Sequence, residues 1–215
     1  MTPAASTTRT LGFWSAVAAT ACAIAYDVGQ IAEWLGWLGS AGGPESSSTP
    51  LGIVVLLTPS FFLGSSFLLM IVAVHDAAPP ERKVWSRAAM VFATVYATMI
   101  SINYYVQLAW VGPRLASGRI AGMEPFLFTP FDSFLYAVDI LGYAFMCVST
   151  LLLAGVFAGP GLERRARWWL VANGVLFPFL LLQMYWHWMI WCAAAWAVTF
   201  PASTWLIALW FRRAR

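Results

Sequence analysis

One face of a predicted helix in the stretch DSFLYAVDILGY carries four polar side chains at helical spacing: Asp132, Tyr136, Asp139 and Tyr143. The same stretch opens a long apolar run, so Asp139 lies well inside a predicted membrane span. A carboxyl group there costs roughly 2.5–3.5 kcal/mol on insertion scales, and we therefore expect it to face protein or a wet cavity. The chemistry open to it is that of a general acid or base, a proton site, or an anchor for a cationic ligand.

Asp27, in the first apolar segment, is the second candidate for catalysis on the same grounds. For Asp139 the alternative is a structural carboxyl that accepts a hydrogen bond from Asn103 or Gln107. Glu33 is interpreted as the solvated end of a helix, and so is Asp132.

The composition places these groups in a membrane protein. Of the 215 residues, 61% are hydrophobic and 10% are charged, against about 25% charged residues in a soluble domain. The aromatic share is 16%, with 13 Trp, a residue that favours membrane interfaces. The net charge of +3 comes from basic residues in short loops, which does not indicate nucleic-acid binding.

Six segments are long and apolar enough to span a bilayer, which requires about 20 residues. The sequence therefore predicts an all-α polytopic membrane protein, a six-transmembrane-helix bundle that forms a single domain over residues 1–215. Pro59, Pro178 and Pro201 are expected to kink three of the helices. The predicted helices run from about 11 to 38, 51 to 74, 86 to 111, 132 to 157, 168 to 185 and 189 to 211.

The basic residues orient this bundle. With the N-terminus inside, only Arg114 and Arg119 fall outside. This distribution follows the positive-inside rule, and an even number of helices places both termini in the cytoplasm. The inner segments contain the other ten of the 12 basic residues: Arg9, Arg82, Lys83, Arg87, Arg164, Arg165, Arg167, Arg212, Arg213 and Arg215.

The direction in which each predicted helix crosses the membrane gives the depth of its polar groups. Most of these groups fall in the outer half of the membrane. The simplest arrangement is a polar chamber there, above an apolar inner bundle. The fifth span is expected to present Asn173, Gln183 and His187 on one face. The side chains predicted to bind a ligand in the chamber are Asn103, Gln107, Tyr136, Tyr143, Gln30, Gln183, His187 and Trp34.

The connection from Gly112 to Phe131 is the longest and lies outside in this topology. Its end, EPFLFTPFD, is apolar and interrupted by proline. It could fold inward as a lid over the chamber, or lie in the interface as a connector. Both roles are open from the sequence.

The sequence lacks the motifs of several common catalytic and metal-binding sites. The chain has no H-E-x-x-H or other metal-ligand spacing, no G-x-S-x-G and no phosphate-binding glycine loop. Its three cysteines lie in apolar runs without a partner motif and are expected to be small buried hydrophobes. Axial ligation of a haem would usually require a second histidine within the membrane. His75 lies on the cytoplasmic side and His187 on the outer side, so haem is not expected. Lys83, in a loop, is the only lysine, which excludes a retinal Schiff base. No metal and no cofactor is expected.

The order N-Y-Y-V-Q-L, D-I-L-G-Y, L-E-R-R-A-R-W and F-P-A-S-T before F-R-R resembles small six-helix bacterial membrane proteins of the kind called uncharacterised. The resemblance covers the chain from about Arg87 onward. It implies a multi-pass protein of the bacterial cytoplasmic (inner) membrane with an all-helical fold, and it implies no substrate and no functional residues.

Four functions are compatible with this pattern. The first is binding of a small amphipathic or lipid-like molecule from the outer leaflet, because carboxyls beside Trp and Tyr suit apolar bodies and cationic heads. The second is an intramembrane acid–base enzyme, an isomerase or cyclase acting on an isoprenoid or lipid. The third is a proton-coupled transporter, and the fourth is an accessory subunit of a larger membrane complex. Membrane lipids are expected partners, a homo-oligomer is compatible, and whether the chain is an enzyme stays open.

Overall fold

Helices make up the whole regular structure of the chain in the computed structural model, which describes residues 3–43, 46–129 and 131–213. About 80% of the residues are helical and these ranges contain no strand, which confirms the predicted all-α class. Two positions used in the sequence analysis, Arg215 on the inner side and Pro130 in the long connection, lie outside the described residues.

The helices of the described ranges are named α1 to α9 in chain order. They are α1 (Pro3–Trp34), α2 (Pro50–Ala77), α3 (Lys83–Val106), α4 (Gly112–Ala116), α5 (Phe134–Leu153), α6 (Leu162–Gly174), α7 (Phe177–Leu182), α8 (Ile190–Ala193) and α9 (Trp196–Arg213). Single turns of 3₁₀-helix lie at Pro80–Arg82, Glu124–Phe126, Ala154–Val156 and His187–Met189, and a π-helical turn at Gln107–Val111 joins α3 to α4.

Five helical stretches of the described residues are long and apolar enough to cross a membrane. They are Ser6–Trp34, Pro50–Ala77, Pro80–Ala116, Phe134–Val156 and His187–Arg213. Apolar side chains also lie on their outer faces, as Ile24, Val28 and Ile31 do on α1. The chain is therefore a multi-pass membrane protein, which confirms this part of the sequence interpretation.

The predicted fifth span, about 168 to 185, is not one continuous helix. It is split into α6 and α7 by a turn at Val175 and Leu176. Pro178 has no N–H for the carbonyl of Gly174, so the α-helical ladder cannot pass this point. Neither piece alone is long enough to be one of the five candidate spans. Pro59 and Pro201, in contrast, lie inside the continuous helices α2 and α9.

The first helix ends four residues earlier than the predicted boundary at Leu38. Gly36 has a φ of 73°, a left-handed conformation that glycine adopts without steric cost. The N–H of Gly36 donates to the carbonyl of Glu33 at 2.9 Å, and the N–H of Trp37 donates to that of Ala32 at 2.9 Å. These two bonds form a Schellman motif, which turns the chain out of the helix.

The third and fourth predicted spans also differ from the structure at their outer ends. The helix of the third span continues through the π-helical turn to Ala116, so the long connection starts later than Gly112. A π-helical bond from the N–H of Gly112 to the carbonyl of Gln107 precedes Pro113, which has no N–H of its own. The fourth span begins at Phe134, because Ser133 caps α5 by accepting from the N–H of Tyr136 at 3.1 Å.

Contacts between chain segments define one end of the bundle, which we name the basic end. Arg9 donates to the carbonyl oxygens of Phe211 at 2.9 Å and Arg212 at 2.7 Å. Thr8 and Asp76 are hydrogen-bonded, which places the start of α1 beside the end of α2. Nine basic residues belong to this end: Arg9, Arg82, Lys83, Arg87, Arg164, Arg165, Arg167, Arg212 and Arg213.

The opposite end, which we name the long-loop end, carries the connections that follow α1, α4 and α7. Arg114 and Arg119 lie here. Ser48 and Thr129 join two of the connections, since the N–H of Thr129 donates to Oγ of Ser48 at 2.9 Å. The charge asymmetry of the sequence thus coincides with the two physical ends of the bundle.

Helices α1, α2, α3 and α5 form a series of packed neighbours, and α9 packs against α1 and α6. Asn173 of α6 holds part of this arrangement together. Its Nδ2 donates to Oγ1 of Thr150 on α5 at 3.0 Å, and its Oδ1 accepts from Oγ1 of Thr199 on α9 at 3.0 Å. The expected face shared by Asn173, Gln183 and His187 is therefore wrong, because the break between α6 and α7 separates Asn173 from the other two.

Replacement of Gly174 by alanine tests the close approach of α6 to α5. A Cβ at Gly174 would lie 2.5 Å from Cβ and 2.9 Å from Cα of Leu151, so Gly174→Ala requires the helices to separate. We expect a loss of about 1–3 kcal/mol in the free energy of unfolding, measured by unfolding of the purified protein in mixed micelles.

Gly112→Ala is the matched control, because a Cβ there meets its nearest atom at 3.4 Å, an ordinary contact. Equal stability of both variants would contradict the tight contact at Gly174.

Candidate functional site

Asp139 and five tyrosines form a polar region inside the bundle, which we name the tyrosine cluster: Tyr26, Tyr96, Tyr104, Tyr136 and Tyr143. Each of these tyrosines lies close enough to Asp139 for an electrostatic interaction. They are five of the 7 tyrosines of the chain. The other two, Tyr105 and Tyr185, are exposed on the surface. Tyrosine is thus concentrated around one buried carboxyl.

Asp139 is the most deeply buried acid in the described residues, with 2% of its surface exposed. It lies five residues into α5, about 8 Å along the helix axis from the long-loop end. Its Oδ1 accepts from Nδ2 of Asn103 at 3.3 Å, and the same Nδ2 donates to the carbonyl of Leu135 at 3.1 Å. The Asn103 amide therefore joins α3 to α5. This contact is one that the structural interpretation of Asp139 expected.

The hydroxyl groups of the cluster continue from the carboxyl into the centre of the bundle. Tyr104 lies near the Asp139 carboxyl, and its hydroxyl donates to that of Tyr143 at 3.2 Å. The rings of Tyr143 and Tyr96 meet edge to face, with centroids 5.5 Å apart. Edge-to-face pairs of this kind add about 0.5–1.5 kcal/mol to simple burial. The cluster is thus held by ring packing as well as by hydrogen bonds.

Trp196 of α9 packs against two tyrosines of the cluster. Its ring lies 5.3 Å from that of Tyr143 and 5.9 Å from that of Tyr26, both edge to face. It is stacked on Phe200 at 5.2 Å. The Tyr26 hydroxyl in turn accepts from Nε2 of Gln30 at 2.5 Å. Through these contacts α1 and α9 complete the enclosure of Asp139.

Several buried polar atoms of this region have no hydrogen-bond partner in the described protein. They are the hydroxyl of Tyr96, Oδ1 of Asn103, Oε1 of Gln107 and Nε1 of Trp196. Buried polar groups in folded proteins are almost always paired, so each unpaired one indicates a role or a missing partner such as water, an ion or a ligand. Of these four atoms, one belongs to Tyr96, a member of the tyrosine cluster, and two belong to Asn103 and Trp196, which contact the cluster.

Tyr136 and Gln183 extend the cluster toward the long-loop end. The Tyr136 hydroxyl donates to Oε1 of Gln183 at 3.2 Å, and both side chains are buried. Gln183 follows the last residue of α7, so this bond connects the end of the broken helix to α5. Tyr136 is placed by the Ser133 cap, which sets the first turn of α5.

The end of the long connection covers this region. Phe128 is buried and packs against Tyr136, with centroids 5.5 Å apart, and against Tyr104 at 6.5 Å. Gln107, in the π-helical turn, donates to the carbonyl of Phe126 at 2.5 Å and holds the segment in place. Such π-helical turns occur frequently at functional sites.

Glu33 is a buried carboxyl, and its interpretation as a solvated helix end is wrong. It is 6% exposed, because it follows the buried Gly29 by one helical turn and faces α2. Its Oε1 accepts from Oγ of Ser46 at 2.5 Å, whereas its Oε2 has no partner in the described protein. Oε2 lies against Gly52 at the N-terminus of α2, a position where a negative charge is favoured.

A cavity of about 10 Å³ adjoins Glu33, enough for about one water molecule. It is lined by Glu33, Ser47, Ser48, Thr49, Gly52, Ile53, Leu56, Leu57, Phe128 and Thr129. Phe128 thus lies between this cavity and the tyrosine cluster.

The structure brings together six of the ten side chains predicted to form the site. Asp139, Asn103, Tyr136, Tyr143, Gln183 and Gln30 belong to or touch the cluster. Gln107 lies beside it, in contact with the segment that covers it.

Of the other three side chains, Trp34 and His187 lie apart from the cluster, whereas Asp27 lies beside one of its members, Tyr26. Trp34 is 49% exposed and packs edge to face on Trp191 at 5.7 Å. His187 is exposed, and its Nε2 lies 3.2 Å from the carbonyl of Phe131. Asp27 is half-buried, and its side chain forms no hydrogen bond or ion pair with another described residue.

The predicted site residues omit four aromatic residues of the site: Tyr26, Tyr96, Tyr104 and Trp196. Tyr26 precedes Gln30 by four residues, so helical spacing could have paired them. Trp196 carries no such signal, because its neighbours Ala195 and Ala197 are apolar and small. Its position against Tyr143 depends on how α9 packs in the bundle.

This arrangement offers one carboxyl, several hydroxyls and aromatic rings in a region buried from solvent. Such a combination suits a cationic or hydrogen-bonding head group with an apolar body. Comparison of the chain with protein-family models, curated proteins and solved structures finds no match in any of the three.

A double-mutant cycle tests the bond between Asn103 and Asp139. Asn103→Leu leaves the carboxyl and the carbonyl of Leu135 without their donor, at a cost of about 1–3 kcal/mol. Replacement of both partners by leucine removes the unpaired carboxyl, so Asn103→Leu/Asp139→Leu should be more stable than the sum of the single changes predicts.

The measurement is the free energy of unfolding of the wild type, both single variants and the double variant in the same mixed micelles. A coupling of about 0.5–3 kcal/mol is expected for residues in direct contact. Additive effects would show that the two side chains do not interact.

Proposed function

We propose that this chain is a multi-pass protein of the bacterial cytoplasmic membrane that binds a small amphipathic, lipid-like molecule. The head group of the ligand enters the tyrosine cluster from the long-loop end and lies against Asp139. Its apolar part extends between the helices toward the surrounding lipid.

The observation that carries this proposal is the unused polar capacity around Asp139. The carboxyl is almost fully buried and no cationic side chain of the described residues pairs with it. Beside it lie polar atoms of Tyr96, Asn103 and Trp196 that the described protein leaves unpaired. A buried polar group without a partner costs about 1–3 kcal/mol, and a bound head group would remove several such costs at once.

The chemistry of the surrounding side chains favours an ammonium or a multiple hydrogen-bond donor as that head group. A carboxyl supplies the counter-charge, and the rings of Tyr96, Tyr143 and Trp196 attract cations through their faces. Binding is preferred to acid–base catalysis, because Asn103 holds the carboxyl and aromatic rings enclose it.

Access to the cluster requires movement of the segment around Phe128, which acts as a lid in this proposal. Two polar contacts hold the segment: Gln107 with the carbonyl of Phe126, and Ser48 with the main chain of Thr129. Gln107, Phe128 and Thr129 are buried, so opening breaks these contacts and exposes the Phe128 ring together with the cluster.

We also propose that the chain crosses the membrane six times with both termini in the cytoplasm, the broken helix α6–α7 being the fifth crossing. At its start, Trp210 donates to Oε1 of Glu163 at 3.2 Å, beside the basic end. At its end, Gln183 contacts Tyr136 near the long-loop end. The 21 residues from Leu162 to Leu182 extend about 31 Å as a helix, which matches the thickness of a hydrocarbon core.

Ligand-induced thermal stabilisation tests the binding proposal, with dodecyltrimethylammonium as the probe and dodecyl maltoside as the uncharged reference. At 100 times its dissociation constant, a ligand adds about 2.7 kcal/mol of stability, or roughly 5–10 °C in Tm for a chain of this size. We expect this shift in the wild type and its loss in Asp139→Asn.

The matched control is Asp132→Asn, because Asp132 is an exposed acid at the same end. It should keep the shift. An equal shift in Asp139→Asn would exclude Asp139 from the site, and no shift in the wild type would overturn the proposed class of head group.

Cysteine labelling tests the six crossings. In a chain with its own cysteines replaced by serine, Ser117→Cys and Tyr185→Cys are expected to react with a membrane-impermeant maleimide added to intact cells, whereas Arg164→Cys is not. Tyr185 decides between the topologies, because it lies outside only if α6–α7 crosses. Protection of Tyr185→Cys together with Arg164→Cys would contradict the crossing by α6–α7.

A further inference from the structure

A cleft of about 440 Å³ lies between α1 and α9 at the basic end, far from the tyrosine cluster. Its lining combines two basic, two hydroxyl and three aromatic side chains: Arg9, Arg212, Ser6, Thr10, Phe13, Trp14 and Phe211. Among these residues none is acidic. We name it the basic-end cleft.

Arg9 is held in a defined orientation at the cleft. Its Nε donates to the carbonyl of Phe211 at 2.9 Å and its Nη2 to that of Arg212 at 2.7 Å. A guanidinium group has five N–H groups, so these two bonds leave three for other acceptors. Because the protein has already ordered this side chain, an anion that binds it bears little of that entropic cost.

Three acidic residues lie near this end, Asp76, Glu81 and Glu163, and none of them lines the cleft. Asp76 is hydrogen-bonded to Thr8. Glu163 accepts from the N–H of Gly159 at 2.7 Å and from Nε1 of Trp210 at 3.2 Å. The charge of Arg9 and Arg212 is therefore available to an external anion.

The walls of the cleft indicate where the rest of the ligand lies. Trp14 is 62% exposed, one helical turn further into the membrane span than Thr10, and Phe13 lies beside it. An exposed indole at this depth faces lipid and typically marks the interface. Basic groups at the mouth and aromatic surface below match a phosphate head group joined to an acyl chain.

From this arrangement we propose that the basic-end cleft binds the phosphate of an anionic phospholipid. Arg9 and Arg212 contact the phosphate, the hydroxyls of Ser6 and Thr10 contact its oxygens or the glycerol, and one acyl chain lies along Phe13 and Trp14. Free phosphate shares the head-group chemistry but does not use the aromatic wall, so we assign the site to the lipid. The site is independent of the ligand proposed for the tyrosine cluster.

The test measures lipid binding by the purified full chain with native mass spectrometry and thermal unfolding. The probe is dioleoyl phosphatidylglycerol, and dioleoyl phosphatidylcholine, with the same chains and no net charge, is the reference. We expect the anionic lipid to bind more tightly and to raise the Tm. Arg212→Gln should weaken its binding about tenfold, since one charge-assisted contact is lost.

Arg213→Gln is the matched control, because it removes the same charge from the next position of α9 without touching the cleft. It should bind the lipid as the wild type does. Arg9→Gln is a second variant, but it also removes two bonds to α9, so its binding is compared only if its Tm without lipid is unchanged.

Three results would overturn the proposal. Equal weakening by Arg212→Gln and Arg213→Gln would show attraction to general surface charge. Equal affinity for both lipids would exclude recognition of the anion. Inorganic phosphate that displaces the lipid and raises the Tm as much would assign the cleft to a free anion.

Discussion

The pairing of Asp139 with Asn103 is the interaction on which the inner arrangement of this bundle depends. A buried carboxyl within an apolar bundle is costly without hydrogen-bond partners, and Asn103 on a neighbouring helix supplies one for Asp139. Asn103 satisfies the carboxyl and a main-chain carbonyl of α5 at once. This bond sets how far α3 and α5 can slide or rotate against each other. The tyrosines of both helices then meet at the depth of Asp139.

Aromatic packing spreads that constraint to the remaining helices. Trp196 of α9 contacts both Tyr143 and Tyr26, so α1, α5 and α9 share one aromatic contact region. The hydroxyls of these rings keep the interior polar, while their faces fill it. A buried polar region of this kind is most stable when all its polar atoms are hydrogen-bonded. The unpaired atoms of Tyr96 and Trp196 are the observation from which ligand binding is proposed.

The two ends of the bundle use different chemistry to close. At the basic end, arginine side chains bond to main-chain oxygens at helix ends and leave charge for anions at the surface. At the long-loop end, serine, threonine and glutamine side chains hold the connections over the tyrosine cluster. The proposed lipid contact and the proposed ligand site therefore lie at opposite ends and do not compete.

The sequence by itself determined the membrane class, the all-helical fold, most helix positions and the residues of the polar face on α5. These follow from composition and from the 3.6-residue period, which are properties of the chain alone. It also reduced the candidate partners of Asp139 to Asn103 and Gln107, because only a few polar groups share that depth, and the structure pairs it with Asn103.

Tertiary structure decided which face of each helix meets which neighbour. Glu33 and Trp34 are adjacent in the chain, yet the first is buried against α2 and the second lies on the surface. Pro178 breaks its helix, whereas Pro59 and Pro201 lie within continuous ones. Periodicity assigns residues to a face, but the rotation of that face toward α2, α5 or lipid depends on packing between helices. That is the reason Tyr26 and Trp196 emerged as members of the site only in three dimensions.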